Sequence, residues 1–207
     1  MSGADIGTAG SARRRGEVAL AGRAGDVPEV RKALEDPDPR VRVGALGALV
    51  RLGEAGPDDL APLLADLDPR VRRDACELAS RVPGSPVEPL LDDPDHGVVE
   101  AAAHAVGELG LHGATGRLSE LASSHPDPLC RESAVAAIGA LGDVGGLDAV
   151  LGALGDVPAV RRRAVVALAA FEGPEVEAAL RRHLDDRDWQ VRQAAAEVLG
   201  LSGVEPR

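Results

Sequence analysis

Aromatic residues are nearly missing from this sequence. It holds one Phe (Phe171), one Trp (Trp189) and no Tyr in 207 residues. That removes the cross-strand aromatic pairs on which sheets draw and the stacking platforms that hold single-stranded nucleic acid. Basic charge is also in deficit, with 23 Lys and Arg against 34 Asp and Glu and a formal net charge of −11. A surface that neutralises many phosphates needs the opposite balance, so nucleic acid is not expected as a main partner. No run of about 18 apolar residues occurs, so no membrane span is expected. The polar, small residues from Met1 to Gly10 lack the apolar core of a signal peptide, and a cytoplasmic location is the simplest expectation. Cysteine is confined to Cys76 and Cys130, which suit a reducing compartment and have no metal-ligand spacing.

What is abundant is small and aliphatic. Hydrophobic residues make up 44% of the chain and are almost all Ala, Val and Leu, a composition suited to closely and repetitively packed helices. Six stretches align without a gap: DPDPRVRVGALGAL from Asp36, DLDPRVRRDACELA from Asp66, DPDHGVVEAAAHAV from Asp93, HPDPLCRESAVAAI from His125, GDVPAVRRRAVVAL from Gly155 and DRDWQVRQAAAEVL from Asp186. The position of Val41 recurs at Val71, Val98, Cys130, Val160 and Val191, at intervals of 30, 27, 32, 30 and 31 residues, the length of a two-helix repeat. After this position, apolar residues fall at +4, +7, +8 and +11, one stripe of a 3.6-residue helix.

The ends of these helices are marked as clearly. Pro39, Pro69, Pro128 and Pro158 stand in the first turn, where a missing N–H costs nothing. Asp38, Asp68 and Asp127 precede three of them as N-caps. Gly53, Gly84, Gly110, Gly142, Gly173 and Gly200 follow the helices as left-handed terminators. Shorter apolar runs between them (60–67, 87–91, 118–122, 147–154 and 176–184) read as the first helix of each repeat. Ser85 to Glu88 has a capping-box pattern, and the run after it, with Pro86 and Pro89, reads as short and irregular. Ser11 to Ala24 reads as an N-terminal half-repeat. The expected architecture is an all-α, right-handed α-solenoid of six two-helix repeats plus that half-repeat. It spans residues 11–203, with a flexible tail at 1–10 and another at 204–207.

On these residues the chain resembles HEAT repeats, in particular the short bacterial kind found in bilin lyase subunits. The resemblance implies a ladder of inter-repeat hydrogen bonds from an Asp six residues before an Arg. The pairs are Asp36 with Arg42, Asp66 with Arg72 and Asp186 with Arg192. The third repeat keeps Asp93 but has Val99 in the Arg position. The fourth and fifth keep Arg131 and Arg161 but offer His125 and Gly155 for Asp. A ladder broken in the middle is therefore expected, and its members are read as structural.

Candidate chemistry is sparse. Glu100 and Glu108 flank His104 at i−4 and i+4, the best constellation present, and read as a solvated helix face. No phosphate loop is found, because the glycines are helix terminators. Cys130 stands in the core stripe, and Cys76 lies beside it with partial exposure expected. No catalytic, cofactor or metal residues are assigned.

If the second helices line the concave surface, their outward positions form rows. Glu100, Glu108 and Glu132 give an acidic middle, in which His104 also stands, with Arg51, Arg73 and Arg81 to one side and Arg162 and Arg163 to the other. Ala136, Ala140, Val166 and Ala170 form an apolar strip rimmed by charge, a pattern expected where a partner binds. The expected function is a non-enzymatic scaffold or adaptor that binds another protein or a peptide segment there, with Arg162 and Arg163 taking acidic groups. The alternative implied by the resemblance is a tetrapyrrole-binding chaperone or lyase subunit. Trp189 is a candidate anchor or a cover for the terminal core, and the last helix lacks a clear polar cap.

Overall fold

The computed structural model describes the backbone of residues 3–201 and the side chains of residues 10–201. The expected C-terminal tail at 204–207 lies outside the described residues. The chain divides into two compact units, Met1–Ala105 and Val106–Arg207. Among the described residues all regular structure is helical.

The first unit opens with α1 (Gly3–Ala24), which starts ahead of the expected Ser11. It continues with α2 (Val27–Lys32), α3 (Pro39–Leu52), α4 (Pro57–Leu64) and α5 (Pro69–Ala79). The next apolar run forms only a 3₁₀ segment, Glu88–Asp92, because its prolines cannot donate to a regular ladder. The expected capping box is not formed there; the Ser85 hydroxyl instead donates to the Val82 carbonyl at 2.6 Å. The boundary between the units falls within α6 (His96–Leu109). The second unit holds α7 (Thr115–Ser124), α8 (Pro128–Leu141), α9 (Leu147–Ala153), α10 (Pro158–Ala167), α11 (Pro174–His183) and α12 (Trp189–Val198). With α1 as the half-repeat, the remaining helices and the 3₁₀ segment pair into six two-element repeats whose second members are α3, α5, α6, α8, α10 and α12. The fold is an α-solenoid.

The caps explain why each second helix starts where it does. The carboxylates of Asp38, Asp68, Asp127 and Asp188 accept from the backbone N–H two residues on, at 2.8, 3.0, 2.9 and 2.9 Å. Each satisfies a donor that the first helical turn leaves orphaned. At the other end, Gly53 and Gly142 take φ of 73° and 62°, a geometry that a Cβ penalises.

The core follows the stripe. Val41, Val71, Val98, Cys130, Val160 and Val191 are all buried, as are the +4 residues Ala45, Ala75, Ala102, Ala134, Ala164 and Ala195. First helices contribute Leu60 and Leu63 in one unit and Leu118, Val150 and Val176 in the other. Cys76 corrects the expectation of partial exposure. It is fully buried, and burial pushes its thiol up to about 12, so it carries no thiolate at neutral pH. Its position, +5, is also filled by the buried Leu46, Val135 and Val165. The buried face of a second helix is therefore wider than one stripe.

Small residues let the second helices approach each other closely. In the second unit a Cβ on Gly139 would lie 2.7 Å from Ala167 Cβ and 2.9 Å from its Cα. A Cβ on Gly107 would lie 3.0 Å from Ala137 Cα. Any side chain at either glycine would push the helices apart.

Candidate functional site

The Asp and Arg residues of the repeats lie at the N-terminal end of the second helices, and their geometry differs from a simple pair within each repeat. Each Arg reaches in two directions. Arg42 Nη1 donates to the backbone carbonyl of Asp36 in its own repeat at 2.8 Å, while its Nε and Nη2 grip the carboxylate of Asp66 in the next, at 2.8 and 2.9 Å. Arg72 does the same with the Asp66 carbonyl (2.7 Å) and the Asp93 carboxylate (2.7 and 2.8 Å). The bidentate fork matches the planar guanidinium to a carboxylate.

In the second unit the expected break is corrected. Arg131 donates to the His125 carbonyl at 2.8 Å and grips the Asp156 carboxylate at 2.6 and 2.8 Å. Asp156 stands one residue after Gly155 and supplies the carboxylate that Gly155 lacks. Arg161 donates to the Asp156 carbonyl at 2.7 Å and grips Asp186 at 3.1 and 2.8 Å. The Arg161 bond holds the Asp186 carboxyl below its ordinary value, and the Arg131 bond does the same for Asp156. Arg161 itself is only 4% exposed. Removing one partner from so buried a pair leaves an uncompensated charge.

The acceptor residue has a further duty. The side chains of Asp36, Asp66, Asp93 and Asp186 each accept from the N–H two residues on, shaping the turn before the helix. His125 keeps this role with its Nδ1, which accepts from Asp127 N at 3.2 Å. Val99, buried and without a guanidinium, is the true departure from the pattern.

The sequence pattern missed one rung. Arg14 on α1 grips Asp36 at 2.8 and 3.3 Å, and the neighbouring Ser11 hydroxyl bonds the Asp38 carboxylate. Arg192 in the last repeat donates to the Asp186 and Arg187 carbonyls at 2.8 and 3.3 Å, and no carboxylate receives its Nε and Nη2 among the described residues.

The outward faces of the second helices differ between the units. In the first, Arg73 is exposed and tied to Asp74 and Glu77 at 3.1 and 3.7 Å. Glu100 is half-buried and His104 exposed on α6. No group of three or more His, Cys, Asp or Glu residues placed to hold a metal ion occurs among the described residues.

In the second unit, Glu108 is exposed. Glu132 on α8 accepts from Arg163 Nη2 on α10 at 3.2 Å, so both are engaged with each other. Arg163 Nε is shielded from solvent and lacks a partner. This corrects the expectation that Arg163 offers its charge outward. Arg162, half-buried, has no hydrogen-bond partner among the described residues. Beside it Val166 is 47% exposed, Ala140 and Ala170 are exposed, and Ala136 is half-buried. Gly139 brings α8 and α10 close together, and of these residues Val166 is the exposed large hydrophobic. Trp189, at the first turn of α12, is 59% exposed and does not cover the core.

Comparison with known proteins agrees with this geometry. A family model described as HEAT repeats matches residues 12–81, 57–139 and 148–207. No curated protein matches the chain. Among solved structures, a designed armadillo repeat protein in complex with the peptide (KR)4 is similar, with 20% identity, TM-score 0.63, and coverage of 84% of this chain and 98% of that one. The YibA protein of Escherichia coli is similar with 16% identity, TM-score 0.63, and coverage of 89% of this chain and 73% of that one. Computationally designed armadillo repeat proteins for modular peptide recognition are similar with 20% identity and TM-score 0.60, over 84% of this chain and 98% of that chain. With repeats, rungs and family model coinciding along its length, the chain belongs to the HEAT-repeat family.

Proposed function

We propose that the chain is a protein-binding scaffold, acting by binding and not by catalysis. Its docking face is the outward surface of α8 and α10. The observation that carries this reading is the exposed Val166, with Ala140 and Ala170 also exposed and Arg162, one turn before it on α10, without a partner among the described residues. An apolar crest beside a cation without a partner among the described residues fits a peptide segment that presents an apolar side chain and a carboxylate. Repeat surfaces of this type gather affinity from many modest contacts and need no catalytic constellation. The designed armadillo neighbour in complex with a peptide supports a peptide as the occupant. The overall charge of −11 speaks against nucleic acid. No helix among the described residues is long and apolar enough to cross a membrane.

The test is a selection from a random peptide library on the wild-type chain, followed by fluorescence-anisotropy titration of the selected peptides. The Arg162→Glu/Val166→Asp variant is expected to lose at least about tenfold in affinity, since a hot-spot residue contributes about 1–2 kcal/mol or more. Its circular dichroism is expected to match wild type. Equal affinities for both chains would remove this face from the reading.

A further inference from the structure

Three arginines line one cavity at the start of the second helices of the first unit. Its volume is about 450 Å³, and its walls are Arg14, Pro37, Asp38, Pro39, Arg40 and Arg70. The carboxylates around it are already spent. Asp36 accepts from the Arg14 fork and from Asp38 N. Asp38 accepts from the Ser11 hydroxyl and from Arg40 N. The Ser11 bond, helped by the charges of Arg40 and Arg15, holds the Asp38 carboxyl below its ordinary value. Asp68 accepts from Arg70 Nε and Nη2 at 3.0 and 2.7 Å, and from Arg70 N at 3.0 Å.

Donors are left over. Arg40 is exposed, and its guanidinium makes no hydrogen bond or ion pair among the described residues. Nη1 of Arg14 and Nη1 of Arg70 likewise meet no acceptor there. With Arg15, four guanidinium groups stand against the carboxylates of Asp36, Asp38 and Asp68. The corner thus has a local excess of one positive charge in a chain of net charge −11.

The fold does not ask for Arg40 and Arg70. They occupy the first turns of α3 and α5, the positive end of the helix dipole, where a cation is disfavoured. In the other four repeats the residue just before the buried valine or cysteine is Gly97, Leu129, Ala159 or Gln190. The frame is built there without any charge.

We propose that this cavity binds the phosphoryl group of a phosphorylated serine or threonine on a partner protein. Such a group carries about −1.5 to −2 charge and three strong acceptor oxygens. Those oxygens match in number the three arginines with donors to spare, and guanidinium forks suit phosphate oxygens. A carboxylate brings one charge and two oxygens. No aromatic ring lines the cavity to stack a base, whereas Pro37 and Pro39 offer apolar walls to flanking residues of a peptide. The site lies within the first unit and uses no residue of the α8–α10 face, so it does not rest on the function proposed above.

The probe is a five-residue alanine peptide with a central phosphoserine and blocked ends. It is titrated into the ¹⁵N-labelled full chain while the arginine Nε–H resonances are followed by NMR. Saturable shifts at Arg14, Arg40 and Arg70 are expected, and none with the unphosphorylated peptide. Arg40→Gln and Arg70→Gln are each expected to weaken binding about tenfold, the loss of a hydrogen bond between charged groups. Affinity should also fall as pH is lowered through about 6, where the phosphoryl group loses its second charge. Arg162→Glu/Val166→Asp should leave binding unchanged, and circular dichroism of every variant should match wild type. Equal binding of the unphosphorylated peptide, or of one with glutamate in place of phosphoserine, overturns the proposal. So does an affinity indifferent to both Arg40→Gln and Arg70→Gln. Inorganic phosphate that binds as tightly as the phosphopeptide overturns it too, because the cavity then takes a free ion and not a protein segment.

Discussion

The two units are built with the same scaffolding and finished with different surfaces. Both use buried valine or cysteine at the head of the second helix, aspartate caps, and guanidinium forks to the next repeat. At +6 and +10 the first unit carries the exposed Glu77, Arg51 and Arg81. The same positions on α8 and α10 of the second carry Ala136, Ala140, Val166 and Ala170, of which Val166 is the exposed large hydrophobic. Since the charged face and the apolar face sit on equivalent frames, neither is needed to hold the frame together. The face can therefore be selected for what it binds, whereas rungs and stripe answer to stability alone.

The largest test of that division is a rung. Arg161→Ala would strand the Asp186 carboxylate, with an expected loss of about 3–5 kcal/mol, read as the shift in a denaturant midpoint. Arg14→Ala, at a rung whose guanidinium side chain is 40% exposed, should cost about 1 kcal/mol or less. Equal costs would mean that burial does not grade the rungs.

Next in size is helix approach. Gly139→Ala is expected to destabilise by about 1–3 kcal/mol through overpacking against Ala167. Gly44→Ala, in the first unit, meets nothing within 4 Å and should stabilise by about 0.5–1 kcal/mol through helix propensity. The same chemical change thus has opposite signs in the two units, which thermal melts can check.

Acid should expose the rungs as a class. Asp156 and Asp186 have carboxyl groups lowered by their guanidinium partners. A lowered value stabilises the folded state above the ordinary aspartate value, and the gain is lost as pH falls through the folded value. Stability should therefore hold from pH 7 to about 5 and decline below about pH 4. Asp186→Asn should flatten part of that decline. The smallest expected effect is Val166→Asp, within about 0.5 kcal/mol in stability, despite its effect on binding. A large loss there would show that the apolar face belongs to the frame after all.

The fold was legible because its signals repeat. The valine positions, the prolines at the first turn and the glycine terminators recur at one spacing, and each has a local physical cause. Three features were hidden for reasons that fixed-register reading cannot overcome. Asp156 serves its rung from one place later than the pattern, because a guanidinium on a long side chain tolerates a one-residue slip that an alignment column does not. Arg14 stands on a helix with no Asp-Pro turn before it, so nothing marked its repeat. Cys76 lies one position beyond the +4 stripe and is fully buried, and amphipathic periodicity expects a narrower buried face than this helix has. At the candidate site, small and charged residues were visible in sequence, but which charges were already spent was not. Only the Arg163–Glu132 contact separates the engaged arginine from its neighbour Arg162.

The two-way grip of each guanidinium has a consequence for how such a chain can change length. A donor that looks forward and a carbonyl that looks back make the junctions that carry them interchangeable, so whole repeats are the natural unit of gain and loss. Excision of residues 131–160 would set Arg161 directly after Cys130, with the His125 carbonyl behind it and Asp186 ahead. Excision of half that length would leave a guanidinium facing the wrong layer. Duplication and deletion at the gene level would thus pass through a filter whose mesh is one repeat, and the ladder that stabilises the chain would also keep its history in phase.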